Sequence, residues 1–114
     1  MIVRAWRGRA AVSRADGYAT HFRRDVLPAL EKLDGFLGAL LLRQVQGREV
    51  EFLVLTRWAS LGAVRAFAGD DIDRAVVEPE AAAILLSFDK RVHHYEIAEE
   101  TRIEPRRQGS TEER

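Results

Sequence analysis

Three histidines, an arginine and a tryptophan are the residues of this chain whose types and places could do chemistry near neutral pH. His21 falls in a helical stretch beside Phe22, at the edge of its apolar stripe, where it could face a cleft and act as a base. His93 and His94 are neighbours in the extended run RVHHYEIA, so they point to opposite faces and cannot serve one site together. His94 shares its face with Glu96, a pairing able to orient a proton-transfer group. Arg4 and Trp6 alternate with apolar residues in MIVRAWRGRA, on one face of a strand. There an indole could wall an aromatic ligand while the guanidinium beside it stabilises an enolate or carboxylate. A cation in the middle of a strand needs a partner or water. Each residue also has a plainer reading: a half-exposed His21, a hydrogen-bonded interface histidine, a tryptophan packed in a core.

Composition removes several other chemistries. The chain has no cysteine, which excludes disulfides, thiolate zinc sites and cysteine nucleophiles. Three histidines without tight acidic or histidine spacing do not define a metal site, and no metal or other cofactor is expected. There is no Gly-rich phosphate loop, no G-x-S-x-G and no H-E-x-x-H. With 18 basic and 18 acidic side chains the net charge is zero, which argues against a nucleic-acid partner. Arginine outnumbers lysine 16 to 2, a bias that coding preference explains more readily than a set of bidentate anion sites does. Arginines interrupt the apolar residues of the N-terminal run, unlike a signal-peptide core. No apolar run approaches the roughly 18 residues of a membrane span. The expectation is a soluble, cytoplasmic protein.

The elements that must position these residues read as follows. Ile2 to Ala10 alternates as a strand, with Ile2, Arg4, Trp6 and Gly8 on one side. Ser13, with Asp16 three residues on, is suited to cap a helix whose apolar positions are Ala15, Tyr18, Ala19, Phe22, Val26, Leu30 and Leu33. Pro28 should kink that helix or split off its last turn, and Asp34-Gly35 should stop it. Phe36 to Val45 is a strand apolar on both faces through Leu42, and Val50 to Trp58 returns after a short turn as its hairpin partner. Ser60 should cap a second helix with Leu61, Val64 and Phe67 inward and Arg65 outward, ended by Gly69. Asp70, Asp71 and Asp73 suggest a short helical piece, and Pro79 the first turn of another. Arg91 to Ala98 makes a last strand.

That order is the split β-α-β of an α+β, ferredoxin-like fold: a four-stranded antiparallel sheet with its helices on one face. Residues 1–99 are expected to form one domain and the polar, aperiodic residues 100–114 a flexible C-terminal tail. Two apolar faces on the central hairpin predict that the second side of the sheet is covered by a second copy, giving a homodimer.

Carried by Gly35-Phe36, LTRWAS (Leu55–Ser60), AFAGDDI (Ala66–Ile72) and VHHYEI (Val92–Ile97), the chain resembles the antibiotic-biosynthesis-monooxygenase-like family of dimeric α/β-barrel proteins. The resemblance implies that fold and a cleft between sheet and helices. It also implies a cofactor-independent monooxygenase or related enzyme acting on an aromatic, quinol-like molecule. On that reading Arg4, Trp6, His21 and His94 would be the reacting set, and Tyr18, Phe22, Trp58 and Phe67 the pocket. The alternative is a non-catalytic dimer that binds a small ligand or serves a structural role. The haem-degrading branch carries an Asn, a Trp and a haem-ligating His where this chain has Trp6, Phe67 and Val77. None of the three matches, so haem degradation by that route is not implied.

Overall fold

A computed structural model of the chain describes residues 1–105. Its elements are β1 (Ile2–Ala11), α1 (Val12–His21), a π-helical turn (Phe22–Val26), α2 (Leu27–Glu31), β2 (Phe36–Gln46) and β3 (Glu49–Trp58), followed by α3 (Leu61–Ala68), α4 (Pro79–Ile84), β4 (Ser87–Phe88) and β5 (His93–Glu96). The sheet is antiparallel in the order β2-β3-β1-β4, with β5 also paired to β1. β4 lies beside Gly8 and Arg9, and β5 beside Ile2 to Ala5. The fourth place in the sheet is thus shared by two short strands. The single strand expected over residues 91–98 is shorter than its sequence pattern, and β4 is an addition to it. The reason is visible in the backbone: Val92 N–H is committed to the Asp73 carbonyl at 2.7 Å, which takes it away from β1.

Alternation along β3 builds the two-sided sheet. Val50, Phe52, Val54, Thr56 and Trp58 are buried under the helices, while the residues between them are only partly covered. Opposite them in β1, Trp6 pairs with Val54 and Arg4 with Thr56. One cluster of the core centres on Tyr18, Phe22, Phe52 and Val54. A second centres on Leu30, Trp58 and Val64. Trp58 is fully buried, donates its indole N–H to Thr56 Oγ1 at 2.9 Å, and meets Phe36 edge-on and Phe67 in a stack. Satisfying both buried polar groups with one bond is what lets that corner stay dry.

The helix boundaries depart from expectation in instructive ways. Ser13 does not cap α1. The helix starts directly from β1 at Val12, with Ala11 in the cap position and no side-chain bond, because the Val12 N–H already donates to the Arg48 carbonyl at 2.9 Å. Ser60 does cap α3, accepting from Ala63 N–H at 3.1 Å. In α3, Val64 is buried and Phe67 half-buried, whereas Leu61 is exposed rather than inward. Ahead of Pro28 the helix widens into the π turn and resumes as α2. Proline lacks the N–H that an earlier carbonyl would accept, and an inserted residue is a usual way to absorb the loss. Asp70, Asp71 and Asp73 lie in a turn, not a helix. Asp71 is held by both terminal nitrogens of Arg91 at 2.9 Å, and Asp73 by His94, so these acids tie the loop to the sheet edge.

Residues 100–105 are exposed and without regular structure, yet Glu100 accepts two bonds from Arg57, at 2.8 and 3.0 Å. The rest of the expected tail, residues 106–114, lies outside the described residues. Among the described residues no helix is long and apolar enough to cross a membrane.

Gly35 fixes how α3 sits on the hairpin. Its φ is +87°, and a Cβ there would lie 2.5 Å from that of Ala63, while its carbonyl accepts from Ala59 N–H at 2.8 Å. Gly35→Ala therefore adds backbone strain to a steric clash. The expected outcome is a loss of about 2 kcal/mol or more, read as a lower urea midpoint at unchanged slope.

Candidate functional site

Between the helices and the buried face of the sheet lies a cleft of about 120 Å³. Trp6, Tyr18, Phe22 and Phe67 supply its aromatic walls, with Arg4, His21, Thr56 and Glu78 the polar groups among largely apolar neighbours. Trp6 is oriented by its indole N–H, which donates to the Asp89 carbonyl at 2.8 Å. Its ring leans against Tyr18 and Phe88, both at 6.2 Å between centroids. Gly8, two residues along the strand, leaves the room this requires: a Cβ there would come within 2.9 Å of the indole.

Arg4 is the cation expected to need a partner, and it has several. Its guanidinium, only 5% exposed, donates to the carbonyls of Ile72 at 2.6 Å and Arg74 at 2.9 Å. It also lies 3.0 Å from His94 Nε2 and 5.5 Å from the centre of the Phe67 ring. His94 Nδ1 lies 3.1 Å from Asp73. The tautomer that satisfies both contacts has Nδ1–H donating to Asp73 and the Nε2 lone pair accepting from Arg4. Burial lowers the pKa of Arg4, with Asp73 opposing the shift; carbonyls solvate its charge without cancelling it. The cleft is therefore floored by a fixed positive charge.

His21 is buried, 6% exposed, not half exposed as its place at the stripe's edge suggests. The segment through Val76, Val77 and Glu78 lines that end of the cleft. Nδ1 meets Asp25 Oδ2 at 3.1 Å, one helical turn on. Nε2 lies 3.2 Å from Glu78 Oε1, yet the carboxylate is off the direction of a hydrogen bond and Nε2 has no bonded partner among the described residues. Tyr18 is unsuited to proton transfer. Burial and then the nearby Glu78 push its phenol far above the usual tyrosine range.

The structure brings Arg4, Trp6, His21, Tyr18, Phe22 and Phe67 to one cleft. Two sequence candidates fall outside its lining. Trp58 packs the strand-helix corner behind Phe67, and His94 stands behind Arg4, reaching the cleft only through that side chain. His93 is exposed on the opposite face of the sheet. Glu78, Thr56, Asp25 and Asp73 were not anticipated. Asp25 carried a signal, being four residues from His21 on one helix, but Glu78 is delivered only by the tertiary path of its loop. Trp6, Phe67 and Val77, the three positions set against the haem-degrading branch in the sequence reading, all line the cleft.

Comparison with known proteins agrees with this architecture. A candidate antibiotic biosynthesis monooxygenase from Deinococcus radiodurans superimposes with a TM-score of 0.61 at 18% identity, covering 92% of this chain and 100% of that one. The heme-degrader MhuD of Mycobacterium tuberculosis, solved with two hemes in its active site, gives 0.60 at 24% identity over 89% of this chain and 99% of its own. The ActVA-Orf6 monooxygenase of Streptomyces coelicolor, in complex with nanaomycin D, gives 0.53 at 13% identity, covering 92% of each chain. The chain has the fold of the antibiotic biosynthesis monooxygenases, as its sequence resemblance implied. No protein-family model matches it. Two uncharacterized proteins from two strains of Mycobacterium tuberculosis are 30% identical over 90 residues, 79% of this chain, and the chain spans 36% of their length.

The Asp73–His94–Arg4 relay sets a pH dependence. Protonating His94 would remove the acceptor facing Arg4 and put a second cation beside it. Burial, then the opposing Asp73 bond, then the Arg4 charge leave the His94 pKa below its ordinary 6.5. The unfolded chain thus takes up this proton first, so the stabilisation is full above about pH 6.5 and is lost as pH falls through the lower folded value. Urea midpoints should drop on the acid side in the wild type, and His94→Gln should flatten that drop relative to it.

Proposed function

We propose that this chain is a cofactor-independent oxygenase of the antibiotic-biosynthesis-monooxygenase kind, acting on a small single-ring phenol in the cleft. The observation that carries this reading is the convergence of a fixed cation, Arg4, and an Asp-oriented imidazole, His21, on one aromatic-walled cleft. Its volume of about 120 Å³ is close to the engineered cavity of about 150 Å³ that admits benzene, which sets the substrate's size at about one ring. With Asp25 accepting from Nδ1–H, His21 Nε2 is free to take the phenolic proton. Arg4 then stabilises the phenolate, whose electron-rich ring reacts with dioxygen directly. The ring gives up four electrons; one oxygen atom becomes the second carbonyl of a quinone and the other leaves as water. A non-catalytic ligand-binding role competes with this reading, supported by the small volume and by the hydrogen bonds already made by Arg4.

The second side of the sheet belongs to the same proposal. Leu40, Leu42, Leu53, Leu55, Val3 and Tyr95 give it an apolar surface, with Leu40 58% exposed and paired in register with Leu55. A second copy laid on this face would bury it in a dimer whose two clefts lie on the outer, helical layers. We place the protein in the cytoplasm.

Trp6 reports on the cleft, whereas Trp58 lies apart from it. Phenol and single-ring hydroxyarenes should quench tryptophan fluorescence in the wild type and not in Trp6→Phe. An oxygen electrode should register uptake that is lost in His21→Asn while ligand quenching persists. Quenching without any uptake would leave only the ligand-binding reading standing. Leu40→Glu, at a position exposed in the single chain, should convert a two-chain particle to one chain in sedimentation equilibrium.

A further inference from the structure

We infer that His21, Glu78 and Glu80 form a binding site for a first-row divalent cation, of which zinc is the type, in the wall of the cleft. One donor atom from each of the three lies within 4.8 Å of the other two. The imidazole is the deciding member. Its side chain is 5% exposed, Asp25 meets Nδ1 at 3.1 Å, and Nε2 faces Glu78 Oε1 at 3.2 Å without a hydrogen bond to it or to any other group among the described residues.

A buried lone pair turned toward two carboxylates is an unfavourable arrangement unless positive charge lies between them. A proton on Nε2 would answer this poorly, since Glu78 Oε1 is near enough but off the N–H direction. A cation answers it better. Zinc bonds of about 2.0–2.2 Å to nitrogen and oxygen at tetrahedral angles set neighbouring donors roughly 3.3 Å apart, and the Nε2 to Oε1 separation is 3.2 Å. Glu80 is exposed and free to swing in, and at least one coordination position remains for water or a ligand. Asp25 plays the part that carboxylates play behind metal-bound imidazoles, fixing the tautomer that leaves Nε2 as the donor atom. One nitrogen and two carboxylate groups without a thiolate suit zinc, manganese or iron(II) better than copper(I), and the imidazole disfavours magnesium and calcium.

Cation binding stands on this geometry alone. One consequence rests on the proposed oxygenase: the metal would occupy the lone pair that receives the phenolic proton, so zinc should inhibit turnover.

The test is calorimetric titration of zinc chloride into the tag-free chain after chelator treatment, at neutral pH. The expected result is one zinc per chain in the wild type, weakened at least about tenfold in Glu78→Gln and Glu80→Gln, lost in His21→Asn and unchanged in Glu31→Gln. Cobalt(II) in place of zinc should give a visible absorption band that the same substitutions remove. No saturable zinc binding, or wild-type affinity retained in both glutamate variants, would overturn the inference. Both glutamates are exposed, so these two variants decide the matter even where His21→Asn fails to fold. Because binding is read directly, a chain that binds zinc but consumes no oxygen when metal-free would sink the oxygenase proposal and leave the cation site intact.

Discussion

A guanidinium buried in the middle of a β-sheet is the constraint to which much of this structure answers. Arg4 cannot shed its charge, so the chain must bring oxygen and nitrogen acceptors to it. It does so by folding the loop after α3 back onto the sheet edge, where the Ile72 and Arg74 carbonyls and His94 meet it. The same loop ties itself down through Asp71 to Arg91 and through Asp73 to His94. Once fixed, it carries Val76, Val77 and Glu78 to the cleft, which they line together with His21. Solvating one cation therefore places part of the wall of the candidate site.

Much of the fold was legible in the sequence because it is written in local patterns. The alternation in β1 and β3 and the near-helical period through Tyr18, Phe22 and Val26 needed no tertiary knowledge. Gly35 and Ser60 marked their boundaries through chemistry that acts within a few residues. The failures have one origin. Ser13, the Asp70–Asp73 run and His21 were judged from neighbours in sequence, but Arg48, Arg91, His94 and Glu78 decided their states from far along the chain. An acidic run reads as a helix start until an arginine across the loop claims it. The candidate site follows the same division: its aromatic wall was visible on strand and helix faces, while Glu78 and the carbonyls around Arg4 were not.

The structural neighbours bear on the fold and leave the chemistry to the cleft. A heme-degrader and a monooxygenase solved with a different ligand both superimpose on this chain at low identity. What differs is the lining. Here the cleft is narrow, aromatic and floored by a cation, with its ionisable groups gathered at the His21 end. On the proposed reading, an apolar lining with charge confined to two places suits a compact, weakly polar guest whose acidic proton a base can meet.

The outer position of β2 in the sheet has a consequence for the behaviour of the isolated chain. An eleven-residue edge strand with exposed leucines is a template on which another chain could add by backbone pairing, the first step toward fibrous aggregates. Two devices limit it. The bulge between Phe36 and Gly38 breaks the ladder at one end, and Arg43, Gln44 and Gln46 make the other end polar. Only the short stretch Ala39–Leu42 is left as flat, greasy edge, less than the six or seven residues that a stable steric zipper uses.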